Sequence, residues 1–198
     1  VGVVGIIEHA ERVVRRTFQQ AGDAVVVVGE SWGELGGSEY LKVVHGQVRG
    51  RPPRLDLERE RALQRFLVES AAAGLLRSAH DCSEGGLAVA IAESCFDSGL
   101  GVQVDLAPVT GVDDTRFVEI ATLFGESASR VVVSTSAPDA LLAVASKLGV
   151  PAQRVGVVGG STITLAIGGR EVVKEALAEA EAAWSSAIET IIQPPRAV

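Results

Sequence analysis

The sequence predicts an α+β domain built on a mixed β-sheet with packed helices. Short runs of β-branched residues, such as 23–29 with its four consecutive valines, are typical of buried strands. Between such runs, apolar residues recur at three- and four-residue intervals, which is the spacing of a helix with one buried face. Glycine pairs at 159–160 and 168–169 indicate tight turns, and hairpin-linked strands favour a mixed sheet over a purely parallel one. A length of 198 residues fits a single domain, which we assign to 1–198.

The first part of the chain is expected to contain two buried strands, at 1–7 and 23–29, joined by a short helical or irregular connector at 11–20. The glycine-rich stretch 31–38 predicts a loop, and 39–45 resumes an apolar pattern.

The middle of the chain alternates helices and strands. A helix is predicted over 56–73, with Asp56 as its N-cap and Gly74 as the residue that ends it. The elements expected after it are a strand at 75–79, a helix at 84–98, a strand at 101–106, a helix at 113–124, a strand at 130–134 and a helix at 138–148.

The last part is predicted to hold two paired strands and one long helix. The strands are placed at 154–158 and 162–167, and the alanine-rich helix at 171–192, closed by Pro194 and Pro195.

Composition narrows the classes of function. The formal charge of -7 and the pI near 5 argue against a broad basic surface for nucleic acid. No apolar run reaches the roughly 20 residues of a membrane helix, so a cytoplasmic protein without membrane contact is expected. Cys82 and Cys95 lack the spacing of a zinc site and are interpreted as free thiols. Because the chain begins at Val1 and contains no methionine, we expect it to be a fragment of a longer protein.

The polar loop at 78–87 is the strongest candidate site. A strand that leads into His80, Asp81, Ser83, Gly85 and Gly86 just before a helix places hydrogen-bonding groups where a helix N-terminus favours anions, so phosphate is the expected guest. Asp81 is the candidate Mg²⁺ ligand, because hard cations take carboxylate oxygen and share it with phosphates. The alternative is that Ser83 only caps the helix and that its neighbour Glu84 complements the helix dipole.

Two further segments carry weaker signals. The glycine loop with Gly36, Gly37 and Ser38 lacks the lysine of a P-loop, so it is either a phosphate-binding loop or a plain turn. In the segment with Glu126 and Ser127, the carboxylate either accepts from a ligand hydroxyl or pairs with Arg130. No Ser-His-Asp order, metal-ligand cluster or close carboxylate pair supplies a complete catalytic apparatus.

Taken together, these segments resemble the C-terminal domain of phosphoribosylformylglycinamidine synthase, a member of the aminoimidazole ribonucleotide synthetase superfamily. The order and spacing of the motifs carry the resemblance over nearly the whole chain, and the Gly36 to Tyr40 segment favours the purine enzyme over the hydrogenase-maturation, selenophosphate and thiamine-phosphate members. The motifs lie at 3–8, 29–30, 34–41, 52–53, 55–58, 79–93 and 123–127.

The resemblance implies an ATP-dependent ligase that converts formylglycinamide ribonucleotide and glutamine-derived ammonia to formylglycinamidine ribonucleotide. In that family two related halves each contain an A and a B domain, and this chain is similar to the second B domain. Its implied partners are the remaining domains, a glutaminase subunit and a small subunit. The catalytic histidine and most ligands of ATP and Mg²⁺ belong to the other domains, so the isolated chain is expected to be inactive.

For individual residues, the resemblance implies that Asp81 matches a metal-binding aspartate and that Glu126-Ser127 matches a substrate-contacting Glu-Ser-Gln. Ala128 replaces the glutamine here, which indicates an auxiliary site for ATP or ADP instead of a site that turns over. The alternative is a structural module with a relic phosphate site. An apolar surface near 25–28 and on the last helix is expected to be left uncovered by the other domains.

Overall fold

The prediction of a mixed α+β sheet is confirmed by the computed structural model, which describes residues 2, 4–7, 9–111 and 113–192. Within these residues the strands are β1 (Ala24–Val28), β2 (Ser78–Asp81), β3 (Val102–Leu106), β4 (Val131–Thr135), β5 (Ala152–Val158), β6 (Thr162–Ile167) and β7 (Arg170–Ala176). The α-helices are α1 (Glu39–His45), α2 (Leu57–Ala72), α3 (Gly86–Cys95), α4 (Thr115–Phe124), α5 (Pro138–Lys147) and α6 (Leu177–Ile192).

The seven strands described form one sheet in the order β2-β4-β1-β5-β3-β6-β7. Strands β3 and β6 pair in parallel, and the other neighbours pair antiparallel. The short strand β2 therefore lies at one edge of the sheet, with β4 as its ladder partner and a single bridge from Arg15 to Ser78 on its other side.

The two halves of the sheet are covered differently. On β1, Val26 and Val28 pack in one cluster with residues of α2 and α5, whereas Val25 and Val27 pack in a second cluster with residues of α3. On β3, by contrast, Val104 is buried and its neighbour Asp105 is exposed. The uninterrupted valines of β1 thus reflect a strand buried on both faces, and the alternation in β3 reflects a strand buried on one face.

The helix signals around α2 are confirmed. The Oδ1 atom of Asp56 accepts hydrogen bonds from the backbone N–H groups of Glu58 at 3.0 Å and Arg59 at 3.2 Å. At the other end, Gly74 takes a φ of +68°, which glycine adopts without steric cost. None of the helices in the described residues is long and apolar enough to cross a membrane.

The prediction of a helix from residue 171 is wrong for its first six residues, which form β7. The two-residue turn Gly168-Gly169 has φ values of +57° and +83°, which is typical of a tight hairpin, and it returns the chain antiparallel to β6. Hairpin pairing therefore makes residues 171–176, which include Val172 and Val173, a strand, and α6 begins at Leu177. Pro194 and Pro195 lie outside the described residues.

Four further expectations are corrected. Strand β2 begins three residues later than predicted, so His80 and Asp81 belong to it. Strand β5 pairs with β1 and β3, and not with β6. Of the strand predicted at 1–7, residues 1 and 3 lie outside the described residues, and residues 4–7 form no strand and are exposed, because no strand in the described part of the chain pairs with them. Residues 25–28 are buried in the middle of the sheet instead of lying at an exposed edge, while the apolar end of α6 is exposed, with Ile188 at 73%.

Candidate functional site

Glu126 connects the three loops that the sequence singles out. Its Oε1 atom accepts hydrogen bonds from the backbone N–H of Gly85 at 2.8 Å and from that of Glu39 at 2.9 Å. Its own N–H donates to the carbonyl of Glu34 at 2.8 Å. Gly85 is the N-cap of α3 and Glu39 is the first residue of α1, so one carboxylate lies at the N-termini of two helices. We call Glu34, Glu39, Gly85 and Glu126 the Glu126 joint.

The sequence predicts phosphate at the N-terminus of α3, and in the structure the carboxylate of Glu126 occupies this position. Helix N-termini favour negative charge because their first N–H groups have no partner within the helix. The sequence pattern indicates this preference, but it does not reveal that Glu126, more than 40 residues away, supplies the carboxylate.

The glycines beside the Glu126 joint allow backbones to approach closely. A Cβ atom on Gly86 would lie 2.5 Å from the carbonyl oxygen of Gly125, and one on Gly125 would lie 3.0 Å from the Cα of Gly33. Gly86 also has a φ of +66°. Any larger residue at Gly86 would both clash and strain the backbone, so these glycines serve the packing of the loops.

The buried guanidinium of Arg130 holds the backbone next to Glu126. Arg130 is only 2% exposed; its Nε donates to the carbonyl of Ser127 and its Nη1 to the hydroxyl of Ser31, both at 2.9 Å, and its Nη2 donates to the carbonyl of Gly125. Burial lowers the pKa of Arg130, and the nearby carboxylates of Glu34 and Glu126 oppose that change. The sequence alternative of a Glu126–Arg130 ion pair is wrong, because Arg130 holds the backbone on either side of Glu126.

The other predicted residues of these loops also bond within the chain. The hydroxyl of Ser127 is buried and accepts from the N–H of Trp32 at 3.0 Å. Ser38 caps α1, since its Oγ accepts from the N–H of Leu41 at 3.3 Å. The Gly37 N–H donates to a carbonyl at 2.9 Å, and Gly36 packs against the backbone at residue 51. The assignment of these residues as phosphate ligands stays a prediction.

His80 and Asp81 lie on β2 and not on a loop. The side chain of His80 is only 12% exposed, and its Nδ1 contacts the carbonyl oxygen of Asp81 at 2.9 Å. Its Nε2 contacts Oε2 of Glu93 on α3, also at 2.9 Å. Both ring nitrogens of His80 thus have partners, and the sequence reasoning missed Glu93 because its contact with His80 depends on how α3 packs against the sheet.

Asp81 is the residue of this region that is open to a ligand. Its side chain is 77% exposed, and its Oδ1 lies 3.5 Å from Nδ1 of His80. Ser83 is exposed as well, and it does not cap α3; its carbonyl accepts the N–H of Gly86 at 3.1 Å. The alternative of a Ser83 cap is therefore wrong.

At the end of β2, Asp81 is the one predicted carboxylate ligand for a magnesium ion. Among the described residues no group of three or more His, Cys, Asp or Glu side chains could hold a metal ion. Magnesium is commonly bound through one or two carboxylates together with substrate phosphates and water. Asp81 fits that mode of binding as a single ligand, with the remaining ligands supplied by a nucleotide and water.

An open cleft of about 490 Å³ lies beside Ser31, the partner of Arg130. It is formed where β1 and β3 end and β5 begins, and its walls include Leu87, Leu106 and Gln153. Apolar walls with a few polar groups are typical of clefts that accept small molecules.

The two thiols carry no chemistry in the folded chain. Cys82 and Cys95 are free and buried, and burial raises the pKa of each to about 12. Because the thiolate is the nucleophile and the metal ligand, both residues are inert at neutral pH while the chain is folded.

With the fold and the site described, the chain can be compared with known proteins. The family described as AIR synthase related protein, C-terminal domain, matches residues 20–167. The chain belongs to this family. The match includes β1, all three loops of the Glu126 joint and β2 with its Asp81, so the resemblance drawn from the motifs is confirmed.

Two relatives that match most of the chain bear the same name. The chain is 42% identical over 194 residues to phosphoribosylformylglycinamidine synthase subunit PurL of Moorella thermoacetica, which covers 97% of this chain and 26% of that protein. It is 47% identical over 168 residues to the subunit of the same name from Thermobifida fusca, covering 83% of this chain and 21% of that protein. The chain therefore spans about a quarter of the length of these relatives.

Solved structures share the fold. PurL of Thermotoga maritima complexed with FGAR covers 87% of this chain and 30% of its own length, with a TM-score of 0.72 and 19% identity. The same protein complexed with ATP gives 0.68 and 21%, over 87% of this chain and 28% of that one. A thiamine-monophosphate kinase from Stenotrophomonas maltophilia gives 0.53 and 20%, over 81% and 54%. At these identities the likeness establishes the fold and nothing further.

Proposed function

We propose that this chain is the C-terminal, second B domain of the ATP-dependent ligase that converts formylglycinamide ribonucleotide and glutamine-derived ammonia to formylglycinamidine ribonucleotide. The observation that carries the proposal is its 42% and 47% identity, over most of its length, to subunits named for that reaction. Because it spans about a quarter of those subunits, the domain acts with the remaining domains, a glutaminase and a small subunit, and is inactive alone.

Within that enzyme, the domain supplies an auxiliary site for the phosphates of ATP or ADP at the end of β2. The exposed carboxylate of Asp81 holds Mg²⁺, and the exposed Ser83 lies two residues further along the chain, just before α3. The bound ion would neutralise phosphate charge. The protein's own part is to fix the carboxylate, which His80 assists by contacting the carbonyl oxygen of Asp81 at 2.9 Å.

A second candidate function is a structural module whose phosphate loops are relics. The Glu126 joint favours it, because the carboxylate of Glu126 already accepts from the N-terminal groups of α1 and α3. A phosphate at the same N–H groups would have to displace Glu126. The two candidates differ in whether Asp81 and Ser83 bind a nucleotide without help from those groups.

Calorimetric titration of the 198-residue chain with MgADP, MgATP and formylglycinamide ribonucleotide separates the two functions. The variant Asp81→Asn removes the charge at nearly constant shape, and Asp139→Asn, at an exposed position of α5, is the matched control. Saturable nucleotide binding that disappears in Asp81→Asn and persists in Asp139→Asn supports the auxiliary site. Folded protein that binds none of the three ligands leaves the structural module as the function of the isolated domain.

A further inference from the structure

Helix α6 is attached to the rest of the chain mainly near its beginning. Leu177 is buried, and the ring of Trp184 lies 5.4 Å from that of Phe96, centroid to centroid. Beyond Trp184 the apolar side chains are open to solvent, with Ile188 at 73% and Ile191 at 79% exposed. Among the described residues, Trp184 is thus the last large apolar side chain of α6 that packs against the end of α3.

Trp184 is hydrogen-bonded to Glu93 as well as packed. Its indole N–H donates to Oε1 of Glu93 at 3.0 Å, and the guanidinium of Arg16 lies 5.6 Å from the centroid of its ring. Arg16 in turn donates to the backbone carbonyl of Glu93 at 3.4 Å. One of the two carboxylate oxygens of Glu93 therefore accepts a hydrogen bond from α6.

The other oxygen of Glu93 contacts the site strand. Its Oε2 lies 2.9 Å from Nε2 of His80, while Nδ1 of the same ring lies 2.9 Å from the carbonyl oxygen of Asp81. We call His80, Glu93 and Trp184 the Glu93 bridge. An unbroken series of three short polar contacts thus runs from the backbone of Asp81 to α6.

The support matters because β2 is a weakly held edge strand. It has four residues and one ladder partner, β4, and within the described residues its outer side pairs only through the bridge to Arg15. An edge strand this short is easily displaced, since few backbone hydrogen bonds hold it. The side chain of His80, fixed on both ring nitrogens, adds a restraint next to Asp81.

We propose that Glu93 is a positioning residue that couples the placement of α6 to the placement of the Asp81 end of β2. Two elements far apart in sequence then share one carboxylate, so release of α6 frees His80 and loosens Asp81. Asp81 counts as a ligand residue only if the proposed function holds. The coupling itself stands on the contacts of the Glu93 bridge and is testable without a ligand.

The test measures hydrogen exchange at the two ends of β2. The Ala79 N–H donates to the carbonyl of Arg15 at 2.9 Å and the Cys82 N–H to that of Arg130 at 3.0 Å, so both amides report opening of the strand. In Glu93→Gln we expect exchange of the Cys82 amide to accelerate by about tenfold or more. Glu179→Gln, at an exposed position in the first turn of α6, is the control and should leave it unchanged.

The decisive variant is Trp184→Phe, which keeps an aromatic ring against Phe96 and removes the N–H donor together with the second ring of the indole. If Glu93 couples the two elements, this change in α6 also accelerates exchange at Cys82. A second readout is the fluorescence of Trp184 in a Trp32→Phe background, which leaves one tryptophan. There, Glu93→Gln should shift the emission to longer wavelength and increase quenching by acrylamide.

Unchanged exchange at Cys82 in both Glu93→Gln and Trp184→Phe overturns the coupling, whatever the fluorescence shows. A titration with MgATP keeps this result separate from the proposed function. If the wild-type chain binds MgATP, Glu93→Gln should weaken binding while Glu179→Gln does not, and equal affinity overturns the positioning role. If the wild-type chain binds no MgATP, the auxiliary site fails, and the exchange data alone decide the coupling.

Discussion

Two carboxylates hold this site in different ways: Glu93 lies on α3, and Glu126 lies at the N-terminus of that helix. Glu126 accepts from backbone N–H groups of Gly85 and Glu39. The carboxylate of Glu93 contacts the side chains of His80 and Trp184. The Glu126 joint therefore fixes main-chain positions at two helix N-termini, whereas the Glu93 bridge restrains a strand end through side chains that have other rotamers available.

The surroundings increase this difference. Beneath the Glu126 joint, Arg130 and Ser127 are 2% and 0% exposed, and glycine backbones touch. Beside the Glu93 bridge, Asp81 is 77% exposed at the edge of the sheet. We infer that the joint is the rigid frame of the candidate site and that the end of β2 is its adjustable part. The two meet where the Cys82 N–H donates to the carbonyl of Arg130.

The largest effect is expected from Arg130→Ala. This change removes a buried guanidinium and leaves the carbonyls of Gly125 and Ser127 without their donor, so the free energy of unfolding should fall by about 3–5 kcal/mol. Urea denaturation measures it, with Arg61→Ala at an exposed position of α2 as the control, expected within about 0.5 kcal/mol of wild type. A loss in Arg130→Ala no larger than in the control would mean that the joint is not a rigid frame.

Glu126→Ala should cost less, about 2–3 kcal/mol, because it leaves the N–H groups of Gly85 and Glu39 without an acceptor. Since those N–H groups favour any anion, inorganic phosphate should restore part of the lost stability. The matched control is Glu84→Ala, at an exposed position of the loop that contains Gly85.

Phosphate stabilises many proteins by exclusion from their surface, so its effect on Glu126→Ala must be compared with its effect on wild type at equal ionic strength. A selective gain in the variant would show that the relic phosphate site becomes available once the carboxylate is removed. Equal gains in both proteins would show that the joint binds no anion other than Glu126.

The reaction rates of the two cysteines compare how often the two regions open, and both rates can be measured in the wild-type chain. Both thiols are buried with a pKa raised to about 12, so an aromatic disulfide reagent at pH 8 should react only when the chain opens. Cys82 lies between the exposed residues Asp81 and Ser83, and Cys95 is fully buried in α3. We expect Cys82 to react first, by local opening of β2. The single variants Cys82→Ala and Cys95→Ala assign the two rates, and faster reaction of Cys95 would contradict an adjustable strand end.

The sequence predicted those parts of the fold that depend on local pattern. The valines of β1, the Asp56 cap of α2 and the glycine turn before β7 follow from propensity and spacing, and all three occur in the structure. Residues 171–176 were assigned to the alanine-rich last helix although they contain two adjacent valines and one alanine, and the ladder with β6 makes them a strand. Pairing partners are a tertiary property, so composition alone could not decide this element.

The candidate site was predicted in its residues but not in its contacts. The sequence singles out His80, Asp81 and Glu126, and their binding of a phosphate stays a prediction; the anion found at the N-terminus of α3 is Glu126 of the chain itself. Glu93 was assigned no role, because it acts through Trp184, a residue distant in sequence. Arg130 was considered only as an ion-pair partner of Glu126, whereas it binds the hydroxyl of the distant Ser31 and the carbonyls of Gly125 and Ser127. A buried arginine without an ion pair has no signature in a single sequence, since only burial and partners distinguish it from the surface arginines.

The smallest effect on stability, and the sharpest contrast with the joint, is expected from Asp81→Asn. With 77% of its side chain exposed and only a 3.5 Å contact to His80, Asp81 should contribute less than about 0.5 kcal/mol to folding. The same urea titration that detects the loss in Arg130→Ala should therefore show no change here. If Asp81→Asn leaves the free energy of unfolding unchanged but abolishes MgATP binding, Asp81 serves the ligand and not the fold. These two results together would assign the end of β2 to function and the Glu126 joint to structure. A fall of about 2 kcal/mol or more in the free energy of unfolding would far exceed the effect of an ordinary surface substitution, and it would make Asp81 part of the rigid frame.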